Sequence, residues 1–573
     1  MNETRNMILA VVLSALVLLG WSMLSNRLLP PTSGPQTQRV EQGKVVPTPQ
    51  PAADPGADGP TAIRARSIVL GGTPRVKIDT PSLRGSLNLT GARIDDLSLV
   101  RQTTRLGPDA PPVRLLSPAG GPNAYFAGFG WIGEGGVQAP TAATRWIPSS
   151  RLLAPGKPVM LSWTNPTGQK FELRYAIDDG YLVTVDQRVT NGGSAPVSVR
   201  PYALISRSAK SIDPSSWTHH VGPMGFLGGA ANYSVDWKTL DEAGAAGQSF
   251  GSNGGWLGFT DKYWLTALAP TGDAAINASF RRSDSGGYQA DYAGAPTIVA
   301  PGQTISGETR LFAGAKEKKW LDAYETAGIP KLTKSIDWGW FEWFMRPIFS
   351  LLMWLFHTLG NFGFAIIALT FIVRLIMYPV FDRQFKSMAA MRVVQPKLKA
   401  IQEKYKDDKV KLQSEMLALY KREKINPAAG CLPIFLQIPV FYALYKVLTV
   451  SVEMRHQPFI GWIKDLSAPD PMTPVNLFGL LPFQPHGMLA LGVLPILLGI
   501  TMWLQFRLNP TPMDPTQKQV MQFMPLVMTF AMAPFAAGLQ LYWVVSNLLG
   551  IAQQKWLYHR YNLAAEQPAK VVT

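Results

Sequence analysis

The amino-acid sequence predicts a polytopic α-helical membrane protein of six spans, with a five-helix core and a large exported antiparallel β-sandwich. Three observations predict it. Long uncharged runs recur from about Trp338 onward, whereas the stretch from about 60 to 330 is polar and rich in Gly and Pro. Within that polar stretch apolar residues alternate with period two, as half-buried strands do. Basic residues also gather in one loop between the apolar runs and avoid the next, the asymmetry that orients membrane proteins. Mean hydropathy near zero only averages these unlike halves. A net charge of +16 over 573 residues could suit nucleic acid, but in a membrane chain basic cytoplasmic loops explain it better. No sequence-specific nucleic-acid binding is expected.

The elements follow in order. Met7–Leu24 is apolar between Arg5 and Arg27, and no small-x-small cleavage site follows it, so residues 1–28 read as an uncleaved transmembrane anchor. Residues 29–60 are a Pro/Gly/Gln-rich flexible linker, too poor in apolar side chains to fold alone. Residues 61–325 form the β-domain. Phe171, Leu173, Tyr175 and Ile177 alternate, Asp178-Asp179-Gly180 turns the chain, and Tyr181, Val183 and Val185 resume, a hairpin signature. "SVRPYALISRS" and "YWLTALAP" repeat the pattern.

Residues 336–357 hold Trp338, Trp340, Trp343 and Trp354 beside Glu342 and Arg346, the composition of an interfacial amphipathic helix. The core, 358–560, contains five apolar runs at about 359–380, 431–452, 486–506, 521–536 and 538–556. Between the first two, 381–430 reads as a helical hairpin. Val394, Leu398, Ile401 and Tyr405 recur at helical spacing, "KDDK" turns the chain, Leu412, Met416 and Leu419 recur again, and Pro427 ends the second helix. This hairpin carries twelve Lys and Arg residues, while 453–485 carries only Arg455 and Lys464. The hairpin is therefore expected in the cytoplasm with both termini, the latter including a short tail at 561–573, and the β-domain in the periplasm.

Several chemistries are excluded. The only cysteine, Cys431, rules out intrachain disulfides and cysteine-built zinc or iron–sulfur sites. "APGKP" around Lys157 lacks the upstream glycine and the Ser/Thr of a phosphate loop, and no H-E-x-x-H occurs. His219 and His220 are adjacent and so do not face one site on a strand. No catalytic residue, cofactor or metal is expected.

The informative polar residues lie inside the apolar runs. Arg374 interrupts "ALTFIVRLIMYP", and none of the five runs contains Asp or Glu to pair with it. A charge at that depth is costly and marks a functional site by default. Snorkelling is the bland alternative, since Arg374 lies five residues before Pro379. Other side chains favour a hydrophilic pocket. Thr370 sits one turn before Arg374, Gln437 lies in the next run, and Tyr542, Trp543, Ser546 and Asn547 form i,i+4 pairs in the last.

Four strings, "TFIVRLIMYP", "MRVVQPKLKAIQEKY", "NPAAGCLPIFLQIPVFYALY" and "GLQLYWVVSNLLGIAQQ", resemble the YidC family of membrane protein insertases of Gram-negative bacteria. The resemblance implies a device of the bacterial inner membrane that inserts and folds membrane proteins, alone or beside the SecYEG translocon, without hydrolysing nucleotide. It implies a groove open to the cytoplasm and to membrane lipids, in which Arg374 attracts the polar or acidic tail of a nascent membrane protein. Tyr542 and Trp543 are expected at the lipid-side edge along which the nascent helix slides. It further implies that the hairpin recruits the ribosome or signal-recognition components, and that the β-domain is a largely dispensable β-supersandwich of the sugar-mutarotase type. The turn "PFAAGLQ" departs from the Pro-Ser-Gly-like sequence expected there, and the tail has no basic run, which leaves ribosome contact to 381–430 and 507–520. A small-molecule transporter is the competing reading, but five core spans cannot be halved into repeats. An anchored sugar-active enzyme is a third.

Overall fold

The computed structural model describes residues 63–560, apart from 214–218, 284–285, 340, 407, 424–431, 479, 482, 484, 486–490 and 509–514. It adds a two-residue ladder pairing Val40–Glu41 with Lys44–Val45 inside the predicted linker. The anchor at 1–28, the rest of the linker, the tail at 561–573, Trp340 and Pro427 lie outside the described residues. The chain divides into two units, Met1–Thr103 with Pro112–Ser335, and Thr104–Pro111 with Ile336–Thr573.

The first unit holds two large sheets, of nine and eleven strands among the described residues. The predicted hairpin is there. Gln169–Ile177 pairs antiparallel with Leu182–Asn191, with Ile177 opposite Val183. Asp178 makes the turn, its Oδ1 accepting from the N–H groups of Gly180 and Leu182, both at 3.0 Å, the side-chain mimicry that suits Asp to turns. Phe171, Leu173, Tyr175, Ile177, Val183 and Val185 are all buried, so the period-two alternation is the core face. That face meets the second sheet, built around Tyr125–Glu134 and Val197–Arg207. Trp131 lies 5.2 Å from Phe171 and Phe129 lies 6.1 Å from Tyr175, ring centre to ring centre. Gln187 ties the layers, its Nε2 donating to the Gly130 carbonyl at 2.8 Å. One strand pair, Lys77–Ile78 with Leu152–Leu153, is parallel. The unit runs past the predicted boundary at 325 to Ser335, because Tyr324 is buried and donates to Asp178 at the hairpin turn, 2.7 Å away.

The second unit is helical. Helix α1, Glu342–Leu359, begins later than predicted and ends at Gly360, whose φ of +69° is the left-handed stop that glycine supplies. Helix α2, Phe362–Ile376, is capped by Asn361, whose Oδ1 accepts from Gly363 N at 2.8 Å and Phe364 N at 3.2 Å. Gly363 is required there, because a Cβ would lie 1.9 Å from the Phe459 ring. Helix α3, Tyr378–Lys404, leaves α2 at a bend of 54°. Pro379 sits at the start of α3, where a missing N–H and a fixed φ are tolerated. Helix α4, Lys409–Arg422, completes the predicted hairpin. Helices α5, Leu432–Val450, α6, Val493–Leu508, α7, Pro515–Met532, and α8, Ala537–Arg560, account for the remaining apolar runs.

Among the described residues no single helix is long and apolar enough to cross a membrane, although α2 with the first part of α3 passes as a bent pair. Gln437–Val450, Val493–Leu508 and Met521–Met532 are shorter apolar helices.

Candidate functional site

Arg374 lies in the last turn of α2, just before the bend. Its guanidinium turns toward α8, donating from Nη2 to the Ser546 carbonyl at 2.5 Å and to Ser546 Oγ at 2.9 Å. Phe381, at the start of α3, covers the other side, its ring centre 4.8 Å from Cζ. Gly550 makes the approach possible: a Cβ there would stand 3.1 Å from both Arg374 Nη2 and Gln505 Nε2. A glycine inside a helix costs about 0.5–1 kcal/mol relative to alanine, so its place one turn after Ser546 marks close packing that the sequence reading overlooked.

No ion pair among the described residues includes Arg374. Its partners are a hydroxyl, a carbonyl and an aromatic face. Neutral donors and acceptors orient a guanidinium without cancelling its charge, whereas a carboxylate would cancel it. The site therefore keeps a net positive charge in a half-buried position.

The other expected residues fall into three places. Gln437 on α5 donates from Nε2 to the Tyr542 hydroxyl, and Tyr542 and Ser546 lie one turn apart on α8. Arg374–Ser546 and Gln437–Tyr542 thus bring α2, α5 and α8 together. Trp543 packs on Phe441 of α5, ring centres 5.0 Å apart. Asn547 faces elsewhere, donating from Nδ2 to Thr501 Oγ1 of α6 at 3.1 Å. Thr370 is buried and its hydroxyl donates back to the Ile366 carbonyl at 2.7 Å. The stripe 542–547 is therefore split between a face toward α2 and α5 and a face toward α6.

The Ala537 end of the unit holds groups that the sequence reading did not single out. Lys446, 1 % exposed, places Nζ 3.6 Å from the Asp337 carboxylate. Gly339, φ +71°, turns the chain past it, with its would-be Cβ 3.9 Å from Lys446 Cε. Gln540 is fully buried and donates to the carbonyls of Met532 and Phe535, both at 2.8 Å, tying α8 to the turn that follows α7. The first N–H groups of α8, on Ala537 and Gly538, donate to Ala468 O at 2.7 Å and Leu466 O at 2.9 Å. The "PFAAGLQ" turn is thus held by backbone and an amide side chain, without a hydroxyl. Asp470 fastens the same loop, accepting from Trp462 Nε1 and Met472 N at 3.0 Å and from Leu494 N at 2.7 Å.

In the hairpin, Val394 and Leu398 of α3 meet Leu419 of α4 in a small core. Lys397 bonds Glu423 at 2.8 Å and holds its carboxyl below the ordinary range. Asp408 caps α4 through Lys411 N at 3.0 Å.

Residues 354–565 match the model of the 60Kd inner membrane protein family, and 75–351 match the YidC periplasmic domain. A membrane protein insertase YidC of Zymomonas mobilis is 46 % identical over 568 residues, covering 99 % of this chain and 97 % of the relative. One from Methylobacterium sp. strain 4-46 is 43 % identical, covering 99 % and 96 %. A crystal structure of an active YidC insertase with its first transmembrane domain resolved aligns with 85 % of this chain and 95 % of its own, at 19 % identity and a TM-score of 0.35.

Proposed function

Because the chain belongs to the YidC family of membrane protein insertases, we propose that Arg374, held by neutral partners between α2 and α8, is the working charge of insertion. Membrane protein insertion is the activity, nascent membrane proteins are the substrates, and the inner membrane is its setting. The observation that supports the role of Arg374 is its company: a hydroxyl, a carbonyl and a ring, with no carboxylate.

An acidic tail approaching the site gains a Coulomb partner that the folded chain has not already used. At about 4 Å that attraction is roughly 1 kcal/mol in bulk water and roughly 4 kcal/mol at an effective dielectric near 20. The half-buried position of Arg374 favours the larger figure. Gln437 and the buried Tyr542 extend the polar contacts along α5 and α8, and the half-buried Trp543 lies beside them. Once the tail has crossed, the apolar span leaves for lipid, favoured by about 25 cal/mol for each Å² of apolar surface removed from water. Neither step requires nucleotide or a catalytic residue.

The topology belongs to the same proposal: six spans, both termini and the α3–α4 hairpin in the cytoplasm, and the β-domain in the periplasm. Its support is the distribution of basic residues, dense in 381–430 and sparse in 453–485. The hairpin surface, where Lys397, Lys399, Lys404, Lys411, Lys421 and Arg422 are exposed around the Val394–Leu398–Leu419 core, suits the ribosome or signal-recognition components, and the SecYEG translocon is a further partner.

Insertion into nucleotide-free proteoliposomes tests the charge. Single-span substrates with acidic, neutral and basic tails are scored by protease protection with Arg374, Arg374→Lys and Arg374→Ala. The expected order is acidic above neutral above basic for Arg and Lys, with that order erased in the Ala variant. An unchanged order in Arg374→Ala refutes the role.

A further inference from the structure

The loop joining α5 to α6 presents apolar side chains outward. Leu480 is 82 % exposed and Phe478 is 53 % exposed, and Val475, Leu477, Leu481 and Phe483 are exposed as well. Such a contiguous apolar surface is uncommon where water is the neighbour. The loop is nonetheless framed. Thr473 Oγ1 donates to Asn476 Oδ1 at 3.1 Å, and Asn476 Nδ2 donates to the Phe483 carbonyl at 3.3 Å. Phe478 N donates to Thr473 O at 2.9 Å and Leu481 N to Asn476 O at 3.1 Å. Leu477 and Phe478 both take positive φ, +49° and +58°, a conformation that large apolar residues rarely adopt. The polar groups of the frame thus bond to one another while the apolar side chains point away. That division of labour lets the side chains enter lipid while the irregular backbone stays at the headgroup level, where its polar groups are still hydrated.

The chemistry of the occupant is written in the chain on both sides. Residues 471–506 contain no Asp, Glu, Lys or Arg, so the loop continues without a charge into α6. On α6 itself Leu497, Ile500, Trp503 and Leu504 are exposed along one face, the face a membrane helix turns to lipid. Asp470 pins the near end of the loop to the first turn of α6 through Leu494 N, 2.7 Å away. Apolar loop and apolar helix face therefore follow one another in the chain with no charged residue between them.

We propose that the side chains of Val475, Leu477, Phe478, Leu480, Leu481 and Phe483 dip into the acyl-chain region of the leaflet at the Val450 end of α5, as an interfacial lipid anchor, with the backbone of the loop at the headgroup level. In the topology given above, on which the choice of leaflet rests, this is the outer leaflet. The anchor steadies the loop whose Leu466 and Ala468 carbonyls hold the start of α8.

The full chain is tested in sealed liposomes of phosphatidylcholine and phosphatidylglycerol. In a Cys431→Ser background, Leu480→Cys and, separately, the exposed Lys464→Cys carry an environment-sensitive nitrobenzoxadiazole label. Lipids bearing a doxyl group on acyl carbon 5 should quench the label at 480 at least twofold, and its emission should shift to the blue. Aqueous iodide should quench 464 and spare 480. Iodide quenching at 480 with no effect of doxyl lipid overturns the proposal. Protection from both quenchers also overturns it, because a protein surface then covers the loop. A third label at Lys399→Cys reports the hairpin's side. If 464 and 399 respond to iodide from the same side, the topology fails while lipid quenching at 480 is still read independently.

Discussion

Five arginines of the β-domain and Arg374 of the helical unit are held in opposite ways. In the β-domain, five shielded arginines each meet a carboxylate: Arg66 with Asp96, Arg75 with Asp95, Arg200 with Glu134 at 3.0 Å, Arg207 with Asp261 at 3.3 Å and Arg281 with Asp291 at 3.0 Å. In the helical unit Arg374 meets only neutral groups. A matched pair has no charge to offer a third party, so pairs of the first kind shape the fold. An unmatched charge retains its field, and under the proposed function that field is what a substrate's acidic tail meets. Lys446, paired with Asp337 3.6 Å away, shows that the helical unit also uses the structural solution where a joint must hold.

This division makes stability and insertion separable. The largest stability loss is expected for Arg281→Met, which leaves Asp291 buried without its cation. Breaking a buried pair from one side costs about 3–5 kcal/mol, and thermal unfolding of the full chain should show it, while Arg281→Met with Asp291→Leu recovers most of the loss. An intact unfolding temperature in the single variant would mean that this pair does not shape the fold.

Next is the Lys446 joint. Lys446 is buried and Asp337 is partly exposed, so the two truncations are unequal. Asp337→Asn strands a buried ammonium and should cost roughly 3 kcal/mol, whereas Lys446→Met leaves a carboxylate that water can reach and should cost roughly 1 kcal/mol. Equal losses by thermal unfolding contradict the pairing.

Asp291 adds a pH dependence of similar size. Burial pushes its carboxyl up to about 6 despite the attraction of Arg281. The native state therefore holds its proton more tightly than the unfolded state does. Stability referable to this group is full below about pH 4 and is lost as pH rises through about 6. Compared with Asp291→Asn, the wild type should lose up to about 3 kcal/mol between pH 4 and pH 7. A pH-independent difference between the two removes that reading.

The smallest effect is expected on the hairpin surface. Lys397 and Glu423 pair in solvent, where such pairs contribute little. Lys397→Ala should leave the unfolding temperature unchanged, and a clear drop would show that the hairpin is fastened by its charges instead of by Val394, Leu398 and Leu419.

What the sequence made legible was local. The Phe171–Val185 hairpin was readable because its alternation and its Asp-Asp-Gly turn sit within one short window. The α3–α4 hairpin showed its core at helical spacing, and Arg374 announced itself by its cost. What it hid was contact between distant segments. Pairing of Leu182–Asn191 with Thr304–Ala315 follows from the whole sheet order and from no local pattern. Lys446 is a single cation near the end of an apolar run, and its partner Asp337 lies far away in sequence, before α1. Gly550 looked like an ordinary helix residue until the guanidinium beside it was visible. The six-span count rests on the apolar runs and the side of the termini on the distribution of basic residues, since both chain ends lie outside the described residues.

The decisive experiment gives Arg374 the carboxylate it lacks. Ser546→Asp places an acid where the hydroxyl now accepts from Arg374 at 2.9 Å, and it is scored for both thermal unfolding and liposome insertion of an acidic-tailed substrate, beside Ser546→Asn. If the unpaired charge drives insertion, the Asp variant keeps or raises its unfolding temperature yet loses insertion at least tenfold, while Asn retains most of it. Full insertion by a stably folded Ser546→Asp variant would show that neutralising Arg374 is harmless, and that the charge is a structural group after all.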